Sequence, residues 1–160
     1  MDLTTPRHPA SYSNGGRKRA GELEPALHFN LWPEDKLMPL SSLPALKAAK
    51  AAQTQGEEAF ERMHKLLFQA YFVDNQDISD EVILEGIAHQ AELNLAKFRK
   101  ARQSSAIHDQ IMQEYAEATD KYDINGVPTV LFNGYPMTGA VDTDIYRQAI
   151  KQLSKREKGG

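Results

Sequence analysis

Apolar residues recur at helical spacing through the middle of the chain and alternate near both ends of that helical block. Ala26-Leu-His-Phe-Asn-Leu-Trp32 places Leu27, Phe29 and Leu31 at every second position, which predicts a half-buried strand over 26–32, ended by Pro33. Ser42 as cap and Pro44 in the first turn predict a helix to about Gln55, stopped by Gly56. Glu57-Glu58 then opens a second helix whose apolar stripe is Phe60, Met63, Leu67, Ala70 and Tyr71. Ser79 is the expected cap of a third, with Val82, Ile83, Ile87, Ala88 and Ala91 facing inward, and Asn94 caps a short fourth helix through Phe98. Ser104 or Ser105 opens a fifth, with Ile107, Ile111, Tyr115 and Ala118 near i, i+4 spacing, ending close to Tyr122. Val130-Leu131-Phe132 suits a buried strand, Asn133-Gly134 is a hairpin signal, and Tyr135 to Thr138 is a second extended piece. A last helix runs from Asp142-Thr143 to about Lys155.

Residues 1–25 carry Pro6, Pro9, Gly15, Gly16, Gly21 and Pro25. Breakers this dense argue against a continuous element, so a mobile segment is expected, with at most a short helix over 16–24. The order is one strand, five helices, two strands, one helix: an α/β domain over 26–156 with a helical insertion over about 42–122 and a closing strand–hairpin–helix over 127–155.

Composition narrows the chemistry. The chain has 160 residues, enough for one domain with a real core, and its 41% apolar and 26% charged content is that of a water-soluble fold. A net charge of −3 gives no sign of a nucleic-acid or membrane partner, and no apolar stretch approaches the ~20 residues of a membrane span. The N-terminus has no apolar core of a signal peptide, so a cytoplasmic protein is expected. There is no cysteine, hence no disulfide and no thiol nucleophile. His28, His64, His89 and His108 show no i, i+4 pair of a zinc helix, and no metal site is expected.

The most informative segment is Asp123-Ile-Asn-Gly-Val-Pro-Thr-Val-Leu-Phe-Asn-Gly134. Pro128 lacks an N–H and sits where a strand begins after a turn, a setting suited to a cis bond. With it go Phe29-Asn-Leu-Trp-Pro33, Leu43-Pro-Ala-Leu-Lys-Ala-Ala49, Leu67-Phe-Gln-Ala-Tyr-Phe72, Asp77-Ile-Ser79 and Thr138-Gly-Ala140. In this order they resemble the DsbA family of thioredoxin-like proteins, with the FrnE-type predicted dithiol-disulfide isomerases as the nearest subgroup, over about residues 26–154. The resemblance implies a thioredoxin-like α/β fold with an inserted all-helical subdomain, and an ancestral protein dithiol-disulfide oxidoreductase or isomerase activity. It also implies a protein or peptide substrate held by Val127, Pro128 and Thr129, with Gly139 and Ala140 beside them.

The family's Cys-x-x-Cys opens its first helix, where the helix N-terminus lowers a thiol's pKa. If Gly16-Arg-Lys-Arg19 belongs to that helix, the four motif positions fall on Ala10-Ser11-Tyr12-Ser13. Without a thiol the chain itself is inactive in exchange. No first strand is found ahead of this point, although the fold places that strand centrally. A truncated reading frame, a pseudoenzyme, or a partner strand filling the gap would each account for this. Ser11 and Ser13 are candidate thiol-orienting residues if the chain resembles the glutathione-dependent isomerases of the 2-hydroxychromene-2-carboxylate type, with glutathione as cofactor; the plainer reading is a polar turn. A non-catalytic protein-binding module is the third reading. Arg17-Lys-Arg19 reads as a solvated turn, and Trp32, Tyr71, Phe72 and Phe98 fit core packing better than a substrate groove.

Overall fold

The computed structural model describes residues 10–157. They divide into two compact units, one up to His108 and one from Asp109 onward. Helix α6 (Ser105–Ala116) carries the boundary and continues into a wider π-helical stretch, Glu117–Lys121.

The first unit is helical. It begins with α1 (Ala10–Leu23), a 14-residue helix where breaker density allowed at most a short one over 16–24. Gly15, Gly16 and Gly21 cost this helix roughly 1 kcal/mol each relative to alanine. The compensation is tertiary: Ala10 and Arg17 on one face are buried. Of the segment 1–25 expected to be mobile, residues 1–9 lie outside the described residues.

An extended segment follows, but it is not a strand. Among the described residues the only sheet is the two-stranded one of the second unit, so the expectation of a strand over 26–32 is corrected. The reason is physical. A strand needs a neighbour to complete its ladder, and the residues immediately before this one are helical. The alternating face is also not buried: Leu27 and Leu31 are more than half exposed, and only Phe29 is partly covered. Asn30 O, Leu31 O, Trp32 N and Trp32 O bond side chains instead, and Asn30 N bonds the backbone carbonyl of Phe72, as the next subsection describes.

Helices α2 (Leu43–Gln53), α3 (Glu57–Phe68), α4 (Glu81–Gln90) and α5 (Leu95–Arg102) pack on one another. α2 contributes Ala45, Ala48, Ala51 and Ala52, all buried, and such small side chains let helices approach closely. Met63 and Leu67 of α3, Leu84, Ile87 and Ala88 of α4, and Phe98 of α5 complete the core. Full burial of a side chain such as Leu84 or Phe98 contributes about 1.5–3 kcal/mol. Gly56 joins α2 to α3 at φ 116°, a conformation that only glycine adopts without strain. Two of the expected caps are replaced. Ser42 makes no side-chain cap, and Ser41 Oγ accepts from Leu43 N at 3.1 Å. Asp80 caps α4, accepting from Val82 N and Ile83 N, while Ser79 bonds Asp77. Asn94 caps α5 as its residue type suggests.

The second unit holds β1 (Thr129–Phe132), β2 (Tyr135–Thr138) and α7 (Thr143–Glu157). The strands are antiparallel, with Thr129 opposite Thr138 and Phe132 opposite Tyr135. Asn133 and Gly134 both have positive φ, 49° and 83°, which is the two-residue turn that matches strand twist. Asp142 opens α7 by accepting from Asp144 N at 2.8 Å. Phe132 meets Tyr146 of α7 with ring centroids 5.9 Å apart.

Candidate functional site

Gly126, Val127 and Pro128 form the turn into β1, and the Val127–Pro128 bond is cis. Two hydrogen bonds hold the turn. Thr129 Oγ1 donates to Gly126 O at 2.7 Å, and Gly139 N donates to Pro128 O at 2.7 Å. Gly139 takes φ 96°, so the position suits glycine, and Tyr146 Oη reaches its carbonyl at 3.4 Å. Thr129 and Thr138 face each other with hydroxyls 3.2 Å apart. Val127, Pro128, Thr129, Gly139 and Ala140 thus meet at the open end of the hairpin. Val127 is 91% exposed. Among the described residues neither its N–H nor its C=O has a hydrogen-bond partner. Unpaired backbone beside a fixed turn is what an extended segment needs for main-chain pairing. The N–H of Gly139 is already used, and that of Asp144 is taken by its cap. The start of α7 is therefore ordinary helix capping.

Ser11 and Ser13 lie in the first turns of α1, in the other unit. Ser11 is exposed; Ser13 is half-buried, and its Oγ has no partner among the described residues.

The feature that sequence reasoning missed is Arg17, which is 3% exposed rather than solvated. Its Nη1 donates to Asn30 O (2.8 Å), Phe72 O (3.2 Å) and Asn75 Oδ1 (3.0 Å), and its Nη2 to Tyr71 O (2.8 Å). The guanidinium also lies over the rings of Trp32, Tyr71 and Phe72, at 5.3, 4.6 and 5.1 Å. Two of these acceptors, Tyr71 O and Phe72 O, are last-turn carbonyls of the π-helical stretch Gln69–Val73 that ends α3, where no intrahelical donor remains. Around the arginine, Asn14 bonds both Trp32 N and Trp32 O. Asn30 bonds Phe72 O and Val73 O, and Asn75 Nδ2 donates to Leu31 O. Three asparagines and one arginine thus replace the missing ladder and fasten α1 and the extended segment to the end of α3. Trp32 and Phe98 are fully buried, and Tyr71 and Phe72 are partly buried.

Charged pairs elsewhere lie outside this cluster. Arg99 holds the Glu85 carboxyl below the usual carboxylate range through a hydrogen bond of 2.6 Å, and Arg102 reaches Glu81 at 3.2 Å. Among the described residues no group of three His, Asp or Glu could hold a metal ion, and no helix is long and apolar enough to cross a membrane.

A helical block joined in sequence to a cis-proline turn, a β-hairpin and a closing helix defines the class. The family model of the DSBA-like thioredoxin domain matches residues 25–151, and the chain belongs to that family. Its relatives include the uncharacterized protein YwbO of Bacillus subtilis, 31% identical over 57% of this chain and 46% of that protein. The ClpXP adapter protein SpxH of Bacillus subtilis is 28% identical over 78% of this chain and 44% of its own length. The chain therefore spans less than half the length of these relatives. Among solved structures it is similar to a candidate protein disulfide isomerase from Nitrosomonas europaea (TM-score 0.70, 17% identity, 96% of this chain and 78% of that one). It is also similar to the cytosolic disulfide reductase DsbM from Pseudomonas aeruginosa (TM-score 0.65, 15% identity, 99% and 81%). At these identities the likeness is one of fold.

Proposed function

We propose that this chain is a protein-binding member of the DsbA family that holds an extended segment of another protein at the Val127–Pro128 turn and runs no thiol exchange of its own. The observation that carries the reading is the free backbone of Val127 in a chain without cysteine. The ancestral oxidoreductase or isomerase activity attacks through a thiolate, and no residue at 10–13 supplies one. The name of the SpxH relatives, ClpXP adapter proteins, supports a binding role. A cytoplasmic setting fits the cysteine-free composition and the cytosolic neighbour. The partner is a protein segment rather than nucleic acid or membrane.

Two assays test this. Insulin reduction by dithiothreitol should run at the same rate with and without the protein. Fluorescence anisotropy with a labelled, reduced and carboxymethylated α-lactalbumin should report binding. Val127→Pro, which deletes the free N–H, should weaken it about tenfold, the loss of a backbone hydrogen bond and its register. Catalysed reduction, or binding indifferent to Val127→Pro, would sink the reading.

A second reading rests on the unpartnered Oγ of Ser13: a glutathione-dependent isomerase or transferase in which that hydroxyl assists the bound thiol. Isothermal titration with glutathione decides it. No heat, and no change on Ser13→Ala, removes it.

A further inference from the structure

Asn14, Asn125 and Asn133 each precede a glycine. In such a pair the glycine nitrogen can attack the side-chain amide carbon of the asparagine, because no Cβ on the second residue hinders the approach. The fold restrains the three pairs differently. Asn14–Gly15 lies inside α1, and both polar atoms of the Asn14 side chain are engaged: Nδ2 donates to Trp32 O at 3.0 Å, and Oδ1 accepts from Trp32 N at 2.7 Å. Asn133–Gly134 forms the hairpin turn, with both φ angles positive. Ring closure there turns Asn133 out of that conformation and loosens the Phe132–Tyr135 pair beside it. Asn125–Gly126 has neither restraint. It lies outside any helix or strand, ahead of β1, and Asn125 is exposed. Among the described residues neither the backbone of Asn125 nor the N–H of Gly126 makes a hydrogen bond. Ring closure breaks only the contacts of Asn125 Nδ2 with Asp123 O and Oδ1, at 3.2 and 2.8 Å, both in reach of water.

We propose that Asn125 is a modification site at which the folded chain itself converts asparagine to aspartate and isoaspartate, ahead of Asn133 and Asn14. The bond from Gly126 N to Asn125 Cγ forms and the Cγ–Nδ2 bond breaks. The Gly126 amide gives its proton to water, and Nδ2 takes one from water and leaves as ammonia. One water then opens the five-membered imide. Cleavage at Cγ restores the ordinary backbone with an aspartate. Cleavage at the Asn125 carbonyl carbon leaves isoaspartate, whose main chain runs through Cβ and Cγ. Only water is consumed. Either product adds one carboxylate to a chain of net charge −3, within a stretch, Ile124 to Val141, that otherwise carries no charged side chain. Isoaspartate also inserts a carbon ahead of Gly126, whose carbonyl accepts from Thr129 Oγ1 at 2.7 Å and ties the turn to β1. On the reading of that turn as a partner's seat, which this consequence rests on, the modification weakens binding.

Peptide mapping by mass spectrometry tests the site. The full chain is held at about 37 °C and about pH 8, natively and in concentrated guanidinium chloride. Each conversion adds about one dalton, and isoaspartate is located by methyl transfer from an isoaspartyl carboxyl methyltransferase. In the native chain Asn125 should convert roughly tenfold faster than Asn133, which first gives up about one ladder bond, and Asn14 should be slowest. In denaturant the three rates should fall within about threefold of one another, since the restraints are gone. No native conversion at Asn125, or a rate at Asn133 that matches it, overturns the proposal. So does an Asn125 to Asn133 ratio that denaturant leaves unchanged. Modified chain separated by anion exchange should bind carboxymethylated α-lactalbumin about tenfold more weakly than fresh chain. Equal affinity overturns the effect on binding. Fresh chain that does not bind counts against the reading of the turn, and the peptide map then decides the site independently.

Discussion

Replacing Arg17 with alanine should destabilise the first unit by roughly 3–5 kcal/mol. Tyr71 O, Asn30 O and Asn75 Oδ1 each have Arg17 as their partner, at 2.8–3.0 Å, whereas Phe72 O keeps its bond from Asn30 N. A buried acceptor left without a donor costs about 1–3 kcal/mol, and water entering the vacated space recovers part of that. The guanidinium of Arg17, lying over the rings of Trp32, Tyr71 and Phe72, adds lost contacts. Arg17→Met also deletes the guanidinium but fills most of the vacated space with an apolar side chain, so its loss should be smaller, about 1–3 kcal/mol. Trp32, the only tryptophan, sits 5.3 Å from the guanidinium, so urea unfolding followed by its fluorescence reads the affected unit directly. If Arg17→Ala shifts stability by less than about 0.5 kcal/mol, the side chain behaves as a solvated one and the account of the junction fails.

Other substitutions test separate links. Asp80→Ala should cost about 1 kcal/mol through loss of the α4 cap, while Ser42→Ala should be nearly neutral; paired urea titrations compare them. Gly134→Ala should cost about 1 kcal/mol in thermal melts, because the turn holds φ at 83° while the space around it is open, leaving backbone strain as the sole cause. Glu85 has its folded pKa lowered by the hydrogen bond from Arg99. Its contribution is therefore present above the ordinary carboxylate range and is lost as pH falls through the lowered value. Glu85→Gln should accordingly differ from wild type at neutral pH and converge with it near about pH 2; urea midpoints at both pH values check the sign.

What the sequence discloses follows the range of the forces involved. The Asn133-Gly134 hairpin is a local matter of positive φ, and it stands where its residues put it. So does the helix capped by Asn94, and the apolar stripe of α3 through Met63 and Leu67. The segment 26–32 alternates correctly, but a strand is a relation between two segments, and alternation alone says nothing of a neighbour. α1 was hidden for the opposite reason. Its glycines disfavour a helix locally, and the contacts that offset them lie on residues 54 to 58 positions away. Nothing in Gly16-Arg-Lys-Arg19 distinguishes the buried arginine from its exposed neighbours Lys18 and Arg19. The π-helical widening at Gln69–Val73, which carries two of the acceptors for Arg17, has no signature in QAYFV. For the candidate site, Pro128 and the residues around it were legible because proline chemistry is local; the unpaired backbone of Val127 was not.

The central claim is that the turn at Val127–Pro128 receives an extended segment of another protein. Its most direct test is amide hydrogen exchange of the chain with saturating reduced and carboxymethylated α-lactalbumin. The account predicts new protection at Val127 and at Thr129, next along β1, with the helices of the first unit unchanged. Unaltered exchange at Val127 with the probe demonstrably bound would contradict it.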